Sequence, residues 1–92
     1  MEVINIVEKL VWENVNSVMA RKEGLCHCEK CRADVVACAL NLLKPKYVTT
    51  EKGGAMAKAI TLNMQGHIAI ITALAEAVEI VYAHPRHPEE QG

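Results

Sequence analysis

The stretch "CHCEKC", residues 26–31, puts three cysteines and a histidine into six positions, and Cys38 follows seven residues later. The chain has no other cysteine. Thiols so grouped can do three kinds of chemistry. Disulfides are disfavoured, because the chain reads as cytoplasmic, where thiols stay reduced, and because Cys26 and Cys28 would close a strained ring. Redox or nucleophilic work is open to Cys28-x-x-Cys31, a CxxC element at a helix start, where backbone N–H groups favour thiolate. The βαβ setting of a thioredoxin-like protein is missing, however. The third reading, a structural zinc site, is preferred. Zinc takes four tetrahedral ligands with thiolate as its structural donor, and Cys26, Cys28 and Cys31 overlap CxC and CxxC spacings. Arg21, Lys22, Lys30 and Arg32 flank the segment and could offset the negative charge of a zinc–thiolate centre.

Cys38 is a conditional ligand. Seven helical residues rise about 10.5 Å, too far for one ion to bridge Cys31 and Cys38 along an unbroken helix. Cys38 reaches the ion only if the helix starts after Cys31, near Arg32 to Asp34. Otherwise it is a small buried hydrophobe, and His27 or a second chain completes the metal site.

The elements that must position these groups read as all-α: three main helices in one small domain, 1–92. Apolar residues spaced by three and four from Val3 to Met19 predict an amphipathic helix in segment 1–24, stopped by Gly24. Segment 25–43 holds the zinc knuckle and a central helix, 32–43, with Asp34 as its N-cap or first-turn acid and an end before Pro45. In the connection 44–62, Tyr47 to Thr50 favour extended backbone, Gly53-Gly54 breaks regular structure, and 55–62 form a short helix. The last helix occupies 63–84, and 85–92 form a mobile tail behind "HPRHP".

At 92 residues with 51% hydrophobic composition and almost no aromatics, the core must be aliphatic and the stability margin thin. A structural metal and oligomerisation are the usual remedies. The helical stripes are wider than one neighbour covers, which predicts a homodimer meeting through Val3, Val7 and Val11 or through the Ile70–Leu74–Ala77 side. A net charge of −1 gives no field to hold DNA. No apolar run reaches the roughly 18 residues of a membrane span, and the acidic, amphipathic N-terminus is unlike a signal peptide. A cytoplasmic protein is expected. No catalytic triad or carboxylate pair is evident, and "EKGGAMAK" lacks P-loop spacing, so no enzyme is expected.

The segment "CHCEKCRADVVACALNLLKPKYVTTEKG" resembles the late competence development protein ComFB family. That family pairs a cysteine cluster and C-R-x-D with a further cysteine and A-L-N-x-L-x-P-x-Y-V. Here these are Cys31-Arg32-Ala33-Asp34, Cys38, and Ala39 through Val48, and an ending of the family's type stands at His84-Pro85-Arg86-His87. The resemblance implies a small, cytosolic, helical homodimer binding Zn²⁺ through Cys26, Cys28, Cys31 and Cys38. It implies a regulatory or binding role linked to competence and DNA uptake, acting through a protein partner. Some cyanobacterial relatives are described as cyclic dinucleotide receptors. For such a ligand this chain offers Lys44, Lys46 and Lys52 near Tyr47, with Arg32. The alternatives to a plain binding module are therefore a cyclic dinucleotide receptor and a thiol-based redox sensor.

Overall fold

The computed structural model describes residues 1–84, so the tail expected at 85–92 lies outside the described residues. Four helices and two short strands follow in the order β1 (Val3–Asn5), α1 (Ile6–Met19), α2 (Glu29–Leu42), β2 (Tyr47–Thr49), α3 (Thr50–Leu62) and α4 (Met64–Ala83). The architecture is mostly helical, as the sequence implies, and the short helix expected at 55–62 is a longer fourth helix.

Residues 3–5, assigned by periodicity to the first helix, are instead a strand. β1 pairs antiparallel with β2, with Val3 opposite Thr49, Ile4 opposite Val48 and Asn5 opposite Tyr47. One side chain organises the junction. Asn5 Oδ1 accepts from the N–H of Val7 at 3.1 Å, capping α1, and from the N–H of Lys46 at 2.9 Å. The extended backbone expected at Tyr47 to Thr50 is present as far as Thr49, Thr50 beginning a helix instead, and its partner is the segment expected to be helical.

The connection 44–62 is mostly α3, which starts at Thr50 and runs through Gly53-Gly54. Glycine in a helix costs about 1 kcal/mol against alanine. Tertiary packing outweighs that cost here: Gly53 is buried, and a Cβ on it would lie 3.1 Å from Ile4 Cδ1. The absent side chain lets α3 lie close to β1. α1 ends at Met19, with Ala20 as its C-cap. Gly24, expected to stop it, sits farther on in the connection with φ 81°.

The central helix is α4 and not α2. α4 packs on α1, α2 and α3 and buries Ile70, Ala73, Leu74, Ala77, Val78 and Val81. Asn63 caps it by accepting from the N–H of Gly66. It is also long and apolar enough to cross a membrane, with a mean hydropathy of 1.5. The sequence reading finds no such run because His67, Glu76 and Glu79 interrupt it. Its packing on three neighbours is that of a core helix.

The core is aliphatic: Ile6, Val11, Val15, Met19, Val35 and Leu74 are essentially sealed from solvent. All three aromatic rings, Trp12, Tyr47 and Tyr82, lie at the surface. The faces expected to join two copies are mostly used inside one. Val7 and Val11, and Ile70, Leu74 and Ala77, are buried in the domain's own core, and only Val3 stays exposed. Leu74→Ala is expected to cost roughly 2–5 kcal/mol, as for large-to-small changes at sealed sites. A urea titration of both proteins checks this; a loss below about 1 kcal/mol would mean α4 is not the centre of the core.

Candidate metal centre

Residues 20–28 link α1 to α2 and carry Cys26 and Cys28. Lys22 Nζ lies 3.0 Å from Glu79 Oε1 on α4 and 4.5 Å from the centroid of the Tyr82 ring. Gly24 lies against the same tyrosine: a Cβ there would meet Tyr82 Oη at 3.4 Å, and its positive φ is a conformation glycine adopts without strain. Leu25 then enters the core.

α2 begins earlier than expected. Its N-cap is Cys28, with Asp34 more than a turn inside, and Cys28 Sγ accepts from the N–H of Cys31 at 3.4 Å. Thiol sulfur replaces the usual oxygen cap. Cys31 therefore stands in the first turn, pointing inward and only 2% exposed.

The three sulfurs of Cys26, Cys28 and Cys31 all lie within 4.8 Å of one another. Tetrahedral zinc, with bonds near 2.3 Å, holds its sulfurs about 3.8 Å apart. The trio thus fits three corners of such a centre with small side-chain movement. Cys28 is exposed, Cys26 half-buried and Cys31 buried, so the cluster opens outward at Cys28. Burial, and then the adjacent Cys26 and Cys28 thiols, pushes Cys31 up to about 12. Three thiols this close resist shared ionisation, and a bound cation would remove that penalty by displacing their protons.

Cys38 is not in this group. Cys31 and Cys38 lie on one unbroken helix, the arrangement in which about 10.5 Å of rise separates them. Cys38 instead lines a cleft with Asp34, Asn41, Val81 and His84. Burial, then Glu76, raises its pKa. His27 is exposed beside the trio in sequence.

Of the flanking cations, Lys22 is engaged with Glu79, and Lys30 lies 4.0 Å from Asp34. Arg32 is half-buried on α2; Lys44, Lys46 and Lys52 are exposed. Tyr47 lines a cleft with Val3, Ile4, Glu8, Lys9 and Trp12, and none of Arg32, Lys44, Lys46 and Lys52 lines it. Sequence reasoning missed Trp12 as a neighbour of Tyr47. The signal was the pairing of β1 with β2, which brings the start of α1 beside Tyr47.

The family model described as late competence development protein ComFB matches residues 4–85. Competence protein ComFB of Bacillus subtilis (strain 168) is 33% identical over 82 residues, covering 89% of this chain and 84% of that protein. The solved structure of the late competence protein ComFB from Bacillus subtilis matches with a TM-score of 0.81 and 31% identity, over 95% of this chain and 96% of that one.

A pH dependence follows from the Cys31 thiol in metal-free, reduced protein. Its folded pKa of about 12 exceeds the ordinary value of 9.0. Between those values the unfolded chain has lost the proton that the folded chain retains, so stability must fall as pH rises. Urea midpoints measured in chelator and reductant are expected to hold up to about pH 9 and decline above it, with Cys31→Ala showing a weaker decline.

Proposed function

We propose that this chain, which belongs to the late competence development protein ComFB family, is a non-enzymatic, zinc-stabilised dimeric module serving competence by binding and regulation. The observation that carries the zinc part is the convergence of the Cys26, Cys28 and Cys31 sulfurs on one another within 4.8 Å. Thiolate-rich donor sets suit zinc or iron over hard cations, and a structural site needs no open catalytic position. When bound, the metal would link the α1–α2 connection to the first turn of α2. Three corners come from the cysteine trio, and His27 is the adjacent candidate for the fourth. Competence enters through the family and through the name of the Bacillus subtilis relative.

A second reading, binding of a cyclic dinucleotide, draws on the cleft that Trp12 and Tyr47 share. Two exposed rings could stack on planar bases, and Lys9 on the rim supplies one cation. Calorimetric titration with cyclic di-GMP and cyclic di-AMP tests it. Saturable heat abolished by Trp12→Ala would support the reading, and no heat with either nucleotide would end it.

The protein is expected to purify with about one zinc per chain. Cys28→Ser should lose the metal and much of the thermal stability, since binding and folding are coupled in so small a domain. Cys38→Ser should keep the metal, as its sulfur stands outside the trio. Elemental analysis and thermal melts decide both points. Metal-free wild type with an unchanged melt would refute the zinc reading, and loss of zinc from Cys38→Ser would return Cys38 to the ligand set.

A further inference from the structure

The three clustered sulfurs are alike as metal ligands but not as nucleophiles. Cys28 is exposed, Cys26 is half-buried, and Cys31 is sealed at 2% exposure. An oxidant arriving from solvent therefore meets Cys28 first. The backbone gives the same sulfur a second distinction. Cys28 is the N-cap of α2, and its Sγ accepts from the N–H of Cys31 at 3.4 Å. A backbone donor at a helix start supports a cysteine sulfur that attacks or departs.

Cys31 is the residue placed to resolve the product. It is the third residue of α2, so it lies over the same turn as the N-cap, which is why its N–H reaches Cys28 Sγ. The sulfurs of the trio lie within 4.8 Å of one another. A disulfide needs its sulfurs at about 2.05 Å and its Cα atoms within about 7 Å. Three residues of helix rise only about 4.5 Å, so side-chain rotation can close the bond without moving α2. Cys26 is the poorer partner, because two cysteines separated by one residue close a strained ring. Cys38 lines a different cleft.

We propose that Cys28 is an oxidation site that takes oxygen from a hydroperoxide, and that Cys31 resolves it into a Cys28–Cys31 disulfide which dismantles the metal centre. The inference rests on the zinc reading above and adds regulation to that site. In the first step an S–O bond forms at Cys28, the peroxide O–O bond breaks, and one water leaves. In the second the Cys31 sulfur attacks the Cys28 sulfenic acid: the S–S bond forms, the S–O bond breaks, and the hydroxide departs as water with the Cys31 proton. Two electrons pass from the sulfur pair to the peroxide, which ends as two waters. Of the trio only Cys26 then keeps a thiol, and one thiol does not supply the donor set of a structural zinc. The disulfide keeps residues 28–31 closed, so α2 retains its start. What is lost is the tie between α2 and the α1–α2 connection. That connection then depends on buried Leu25 and on the Lys22–Glu79 and Gly24–Tyr82 contacts.

The purified protein, treated with a molar excess of hydrogen peroxide, provides the test. Remaining thiols are alkylated, disulfides are located by peptide mass spectrometry, and released zinc is read with a colorimetric chelator. A Cys28–Cys31 disulfide is expected, with Cys26 and Cys38 alkylated. Zinc should leave in step with the disulfide, the far-UV circular dichroism should stay helical, and dithiothreitol with added zinc should restore the metal. Cys31→Ser should stop at the first step, with a sulfenic acid on Cys28 that dimedone traps. Should Cys31→Ser fail to fold, Cys38→Ser makes the second check and is expected to form the same disulfide at the wild-type rate. Pairing through Cys26 or Cys38, or a trio that stays reduced and keeps its zinc, would overturn the inference and leave the zinc reading intact. Protein that purifies without zinc and still forms the Cys28–Cys31 disulfide would overturn the zinc reading and uphold the oxidation site.

Discussion

The domain depends on one residue meeting two demands. Cys31 is a core residue, packed with Val35, Leu25 and the α1 stripe, and it is also a corner of the thiol cluster. Its backbone N–H joins these roles by donating to Cys28 Sγ, the cap that starts α2. The direction of α2, the closure of the cluster and the seating of the core are therefore set within four residues. Anything that changes the chemistry of the sulfurs acts on the first turn of a helix that packs on α1 and α4. This is the physical reason a metal at the trio would act on the whole fold and not only on a loop.

The opposite end of the α1–α2 connection is held by weaker forces. A surface ion pair such as Lys22–Glu79 contributes about 0.2–1 kcal/mol, and a cation over an exposed ring a similar amount. Together with Gly24 against Tyr82, these contacts aim the chain at the core, where Leu25 is buried. They do not fix the sulfurs. Cys26 and Cys28 follow Leu25: Cys26 packs partly against the core, and Cys28 caps α2. The connection is thus anchored on both sides of a segment whose final shape is left to the cysteines.

Much of this was legible in the sequence, and what was not has specific causes. The stripe of α1 and the run of α4 are long enough for periodicity to identify them, and the cysteine spacing pointed to a common site. Strand β1 was hidden because Val3, Ile4, Ile6 and Val7 fit a helical stripe equally well. Its strand character comes from pairing with residues more than forty positions away. The first turn of α3, ahead of the short helix expected at 55–62, was hidden by Gly53-Gly54, whose propensity is overruled where Ile4 needs the space. The start of α2 was misplaced because thiol is an uncommon cap, so Asp34 drew the assignment. That shift also separates Cys38 from the trio, since it places Cys31 inside the helix.

The wide stripes of α1 and α4 raised a question that composition could not answer: which part of an apolar helix is covered by its own chain. Periodicity marks the apolar residues, but their neighbours depend on the fold. Folding buried the Val7–Val11 and Leu74–Ala77 positions and left the surplus at the beginning of α4 and the end of α2. The cause lies in how α4 is placed. From Ile70 onward it carries all six of its buried residues. The residues before Ile70 extend past that packed region and carry Met64 and Ile68 outward. A helix long enough to reach three neighbours cannot be sheathed along its full length by a domain of this size. The exposed apolar ridge is therefore the geometric remainder of the same helix that organises the core.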